Sequence, residues 1–310
     1  MQIEHGTVDA ATYDSVSIAR RPASPWRLAL RRLRRNHLAM AGLAVLVVMI
    51  LACLFGPMLS PYQTEKINIM NGNKPPSDAH WLGTDKLGRD ILKRVLLAGR
   101  ISLSVGIVAM VISVVIGSVL GAVAGFYGGL VDSLIMRLTD IMMSVPSLPL
   151  LIILGAVLSD LRVPPEMRIY IVMLILGVLS WPSLARLVRS EILTLREQEF
   201  MQAAEVLGLR DHRRIFRHLL PNTIPTIIVV ATLTVAGAVL SEAVLSYFGI
   251  GVVPPTPSWG NLIQSANNLI DFQKRPWLWI PPGLCIFITV IAINMFGDGL
   301  RDALDPKMKR

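Results

Sequence analysis

Charged residues are absent from Leu38 to Thr64 and from Ile101 to Val131, and each run exceeds the ~20 residues a helix needs to cross the hydrocarbon core. Ile141 to Ser159, Ile169 to Ala185, Leu219 to Ser241 and Pro276 to Gly297 are also free of charged residues. A backbone in lipid must satisfy its own amides, so these six runs predict an all-α membrane protein with six transmembrane helices. The first run begins too late and is too long for a cleaved leader. It ends at Pro57-Met-Leu-Ser-Pro-Tyr62 without a small-residue cleavage site.

The polar stretches divide the chain further. Residues 1–25 are polar and aperiodic and predict a disordered cytoplasmic tail. Residues 26–100 hold an arginine-rich N-terminal helix, the first span and an extracytoplasmic segment. Residues 101–304 form the transmembrane core with a charged loop at 199–222, and 305–310 are a cytoplasmic end. Composition agrees, with 53% hydrophobic and only 16% charged residues against roughly 25% charged in soluble domains. The mean hydropathy is +0.57.

The net charge of +9 changes the picture only in topology, because the cations lie in short segments between apolar runs, where they meet anionic lipid headgroups. No nucleic-acid-binding module is visible. With both termini inside, nineteen of the thirty Lys and Arg fall on the cytoplasmic side. The awkward stretch is Lys86 to Arg100, whose five cations then lie outside, with Asp85 and Asp90 as partners. Cys53 and Cys285 sit inside apolar runs as bystanders, and the five histidines show no zinc-hydrolase spacing, so no metal site is implied.

Within the second run, Gly117, Gly121 and Gly125 recur every fourth residue and predict a helix-packing face. Pro146, Pro149, Pro182 and Pro225 interrupt apolar helices, and gating kinks and static packing explain them equally well. Glu242 is the ionisable residue expected to touch a pathway, since membrane carboxylates face protein or water; the headgroup level is the other place for it. The Gly- and Pro-rich segment 249–279, with its tryptophans, reads as an interfacial cover. Together with residues 60–100 it is a surface on which an external partner can dock.

The loop after the fourth run is too charged to enter lipid. Phe200, Ala203, Ala204 and Leu207 make an i, i+3, i+4, i+7 stripe, and Gly208 supplies a helix stop. Asp211 is expected to cap a second helix carrying Ile215, Phe216, Leu219 and Leu220 and ending at Pro221. Such a two-helix knuckle either presents Ala203 and Ala204 to a partner's groove or lies on the bilayer as an amphipathic helix.

Gln202, Ala203, Ala204, Gly208, Leu220 and Pro221 fall on the spacing of the EAA motif, and the loop thereby resembles that of ABC importer permeases. Gln202 replaces the motif's acidic residue and His218 its isoleucine, so a salt bridge from position 202 is not expected. His80-Trp-Leu-Gly-Thr-Asp85 with Gly88-Arg-Asp90, Trp181 to Glu191, Pro254 to Gly260 and Gly297 to Pro306 resemble, in order, the dipeptide/oligopeptide permease family of DppC/OppC type. The resemblance implies a type I ABC importer permease (MetI-like) fold in a bacterial cell membrane. It also implies a second homologous permease subunit, two ATP-binding subunits carrying ATP and Mg, and an extracytoplasmic peptide-binding protein.

On that resemblance Phe200, Gln202, Ala203, Ala204, Leu207, Gly208 and Pro221 are the ATPase-coupling residues. The chain holds no G-x-x-x-x-G-K-[ST] loop, so it is expected to be a mechanical subunit without catalytic residues or cofactors of its own. Glutathione or a nickel chelate are alternative substrates. An ion-coupled secondary transporter would need intramembrane ionisable pairs and an internal repeat, and no repeat is seen.

Overall fold

The computed structural model describes residues 25–63 and 67–304, so the expected tail before Pro25 and the end at 305–310 lie outside the described residues. The described residues start with α1 (Pro25–Arg35) and α2 (His37–Leu59), separated by Asn36, whose Oδ1 accepts the Ala39 N–H at 3.1 Å. Then come α3 (Ile91–Tyr127), α4 (Gly129–Ser144), α5 (Ser147–Asp160) and α6 (Pro165–Arg196). The loop helices α7 (Glu199–Val206) and α8 (Asp211–Arg213) lead through a π turn at Arg214–Leu219 into α9 (Leu220–Tyr247). Short helices α10 (Trp259–Ile263) and α11 (Leu269–Lys274) precede α12 (Ile280–Leu304).

Among the described residues five helices are long and apolar enough to cross a membrane, with Asp211–Tyr247 counted as one, and α4 with α5 would make a sixth. The run expected as one span from Ile141 to Ser159 is therefore broken, its two helices meeting at 81°. The cause is local. Pro146 offers no N–H and its ring drives Val145 into an extended conformation (φ −85°, ψ 124°), which ends α4. Pro149 lies in the first turn of α5, where a missing N–H costs nothing. Pro182 and Pro225, also expected to interrupt, lie inside unbroken α6 and α9.

α3 starts ten residues before the apolar run, because the Asp90 carboxylate caps it by accepting the Lys93 N–H at 2.8 Å. It runs unbroken past residue 100, where a division had been expected. It stops at Gly128 and Gly129, whose φ values of +64° and +51° no helix can continue.

α3 is the central mast. Its most extensive packing is with α6, and the glycine stripe forms that seam. A Cβ at Gly117 would lie 2.9 Å from the Trp181 carbonyl, one at Gly125 2.8 Å from the Arg189 carbonyl, and one at Gly121 would overlap the Ala185 carbonyl. The packing face is thus an intramolecular one. α9 and α2 pack on other sides of α3, and α12 closes against both.

At the end of the bundle opposite the α7 loop, residues 67–90 and 248–279 make a folded cap. Trp259, expected as an interface anchor, is instead fully buried, and its Nε1 donates to the Val95 carbonyl at 3.0 Å. A capping box at Ser258 and Asn261 aims it into the notch left by Gly99, where a Cβ would come within 2.7 Å of the indole. The cap's cations are largely paired. Asp85 takes Arg89 at 2.8 Å, and Asp271 takes Lys86 and Arg275, each at 2.7 Å.

Burial alone would push the Asp271 carboxyl up, but Lys86 and Arg275 together outweigh it and hold it below the usual aspartate range. A depressed folded value contributes stability that is complete above the ordinary aspartate pKa and is lost as pH falls through the folded value. Asp271→Asn is therefore expected to lower the melting temperature of the detergent-purified protein at pH 7. The two proteins should converge as the pH falls below the usual aspartate range and through the depressed folded value. Parallel curves for wild type and variant would contradict this.

Candidate functional site

Two constellations occupy opposite ends of one helix. At one end, α7 ends in a Schellman motif, with the Leu209 N–H bonded to the Ala204 carbonyl (3.1 Å), the Gly208 N–H to the Glu205 carbonyl (2.9 Å), and Gly208 at φ +69°. Met201 and Ala204 are buried, and Ile215 and Leu219 join Met201 in a core with Phe126, Leu184, Val188 and Ile192. The loop is thus a knuckle fastened to the bundle. The reading of α7 as a helix free to lie on a bilayer does not fit, because its apolar underside is occupied by the bundle itself.

The predicted loop residues separate. Ala204 faces inward, so it is not part of an outward surface, whereas Ala203, Gln202 and half-exposed Phe200 are outside. Leu207 is 78% exposed, and Val206, which the periodicity passed over, is 88% exposed. The tip beside Gly208 is therefore apolar and uncovered, with nothing within 4 Å of a Cβ placed on that glycine.

Two local expectations are corrected. Asp211 is the first residue of α8 rather than its cap and makes no capping bond. Pro221 does not end the second helix but occupies the second position of α9. The π turn explains this: the Leu220 N–H reaches back five residues to the Ile215 carbonyl, a wider ring than the α form that lets the chain enter α9 past the proline.

Arginines counted only for topology hold the knuckle. Arg214 pairs with Glu205 of α7 at 2.8 Å and stands over the Phe126 ring at 5.1 Å. Arg196 donates to the carbonyls of Gly125 and Phe126 at 3.3 and 3.0 Å, closing the end of α3. Arg189 grips Asp132 with both nitrogens, and Arg186 reaches Asp140 at 2.6 Å, so α4 is strapped to α6. Spacing in the sequence carries no signal for these long-range pairs.

At the other end of α9, Glu242 is fully buried and does not line an open pathway in this conformation. Ser102 Oγ of α3 donates to it at 2.8 Å, and Ser246 Oγ at 2.6 Å. Both hydroxyls also accept from the cap, Ser102 from the Trp259 N–H (3.2 Å) and Ser246 from the Val252 N–H (2.9 Å). Glu242 is a polar pin joining α3, α9 and the cap. Among the described residues no group of three or more His, Cys, Asp or Glu is placed to hold a metal ion.

Residues 117–310 match the family model described as "Binding-protein-dependent transport system inner membrane component". The chain belongs to this family. Residues 24–76 match the "N-terminal TM domain of oligopeptide transport permease C".

The permease is 41% identical over 298 residues to the oligopeptide transport system permease protein OppC of Bacillus subtilis, covering 96% of this chain and 94% of that one. It is 42% identical to the dipeptide transport system permease protein DppC of Alkalihalophilus pseudofirmus, with 92% and 91% covered. It is equally 42% identical to the glutathione transport system permease protein GsiD of Shigella flexneri, with 92% of each chain covered. The permease is an all-α, multi-pass inner membrane protein.

Proposed function

We propose that this permease is one of two homologous membrane subunits of an ATP-driven importer, that it translocates short peptides received from an extracytoplasmic binding protein, and that the knuckle is its handle for the ATPases. ATP and Mg reside on two partner ATP-binding subunits, and this chain supplies motion, not catalysis. Both termini and the knuckle are cytoplasmic, in keeping with the charge bias; the cap is then outside. Relatives named for oligopeptide and dipeptide transport support the substrate class. Glutathione is the second reading, with the GsiD-like relative behind it.

The observation that carries the coupling role is the fastened knuckle with its bare apolar tip. A loop anchored by Met201, Ala204 and Arg214 transmits a push without first folding away. Helix α9 continues from it to the Glu242 pin, so displacement of the knuckle carries that helix as a rod. Burying Val206 and Leu207 in a partner's groove would contribute about 1.5–3 kcal/mol each.

Leu207→Asp and Val206→Asp are each expected to lower recovery of the ATPase subunits in co-purification by about 30-fold, the equivalent of ~2 kcal/mol. The melting temperature of the permease alone should not move, because both side chains are already exposed. ATPases recovered in full with both variants would remove the knuckle from the coupling role. Peptide uptake driven by an ion gradient without ATP would remove the importer reading.

A further inference from the structure

Between the outer end of α3 and the 248–279 half of the cap lies a cavity of about 340 Å³, within the ~300–1,000 Å³ range of small-ligand sites. Three cations line it, Lys86, Arg89 and Arg94, against one carboxylate, Asp85. Lys86 is held by Asp271, and Arg89 by Asp85.

Arg94 is different. Its side chain is only 7% exposed, its buried Nε makes no hydrogen bond among the described residues, and its one acidic neighbour is Asp85 Oδ2 at 3.5 Å. That carboxylate is already engaged, Oδ1 by the N–H groups of Leu87 (2.9 Å) and Arg89 (3.0 Å) and Oδ2 by Arg89 Nε (2.8 Å). A guanidinium this deep without a dedicated partner is costly, and the cost is removed by an anion entering the cavity.

The rest of the lining is apolar at Ile91, Pro254, Leu262 and Leu278 and neutral but polar at Asn261, Gln264 and Ser265. A solvated inorganic anion has no use for such a wall, and a lone acidic side chain would leave most of the volume empty. A carboxylate carried next to an apolar side chain matches both halves. We infer that this cavity is a receiving site for the C-terminal residue of a short peptide, with the carboxylate on Arg94 and the side chain against Leu262 and Leu278.

This inference rests on the peptide reading and adds a subsite to it: a peptide released toward the cap is held by its free terminus before it passes inward. Peptide amides, which lack the charge, are discriminated against at this step.

The test uses the full transporter complex in nanodiscs without its binding protein, and radiolabelled Ala-Ala-Leu as free acid or C-terminal amide. The wild-type complex is expected to bind the acid at least tenfold more tightly than the amide. Arg94→Gln should bring the two within about twofold, and Asp85 keeps Arg89, so the cap retains its main ion pair. Leu262→Trp, which fills the cavity and leaves every charge in place, should abolish binding of both with an unchanged melting temperature. It decides the matter if Arg94→Gln fails to fold.

No saturable binding of the acid by wild type, equal binding of acid and amide, or an undiminished preference in Arg94→Gln overturns the inference. So does an Arg94→Gln complex that keeps peptide discrimination but, in a separate pull-down, no longer captures the binding protein, which would give the carboxylate to that protein. ATP-driven uptake that ignores the terminus would sink this site alone, whereas absence of any peptide uptake would sink the underlying reading.

Discussion

Replacing Gly121 by leucine is expected to leave the protein unable to fold, with no monodisperse species after extraction and no transport. A Cβ at this position overlaps the Ala185 carbonyl and comes within 2.9 Å of Val188 Cβ, so the obstacle is backbone and a β-branched side chain on the facing helix, not a flexible tip. The α3–α6 seam would have to open along its length, because a Cβ added at Gly117 or Gly125, one turn to either side, would also lie 2.9 or 2.8 Å from a carbonyl on α6. Overpacking in a well-filled interior costs about 1–3 kcal/mol, and more where neither side can move. Even Gly121→Ala should lower the melting temperature measurably.

Gly237 of α9 is the matching control, since it is exposed and a methyl group there would meet nothing within 4 Å. Gly237→Ala should be neutral or stabilising by up to ~1 kcal/mol through helix propensity. Thermal unfolding in detergent, read by tryptophan fluorescence, separates the two. Equal tolerance at both glycines would refute the account of the seam.

Glu242→Leu is expected to destabilise the protein by about 3 kcal/mol, because it removes the acceptor of two buried hydroxyl bonds, each broken bond costing ~1–3 kcal/mol. It also frees Ser102 and Ser246, through which Trp259 and Val252 of the cap are tethered. Glu242→Gln keeps the shape and one acceptor oxygen and should retain most of the stability. The discriminating measurement is transport against folding: the leucine variant should lose uptake together with its melting temperature, and the glutamine variant neither. A glutamine variant that folds as wild type yet transports nothing would show that the carboxylate acts on the substrate or the pathway and is more than a pin.

The helices themselves were legible in the sequence because hydrophobic length and the absence of charge are local properties. So was the Gly208 stop, which needs only one residue able to adopt positive φ. Periodicity failed where two faces of a short helix are both apolar. In α7 the stripe of Phe200, Ala203, Ala204 and Leu207 reads as a single face, but Met201 and Ala204 turn inward while Val206 and Leu207 turn out. Which face meets the bundle depends on how α6 delivers α7, and no residue within the loop encodes that.

The prolines teach the same lesson from the other side. Pro146, Pro182 and Pro225 all lie within apolar runs, yet only the first breaks its helix. Pro221 is passed by widening the turn before it.

Composition and spacing along the chain were enough to establish that it lives in a membrane, how many apolar segments it has, which glycines form a seam and where the charged loop interrupts them. The partners of the polar groups emerged only from the packed bundle. Glu242 is a pin because Ser102, 140 positions away in the chain, meets it. Arg94 lacks a dedicated counter-ion because Arg89 already occupies Asp85. The energies of buried polar groups depend on which atoms folding brings within ~3 Å, and that proximity arises from the meeting of helices distant in sequence.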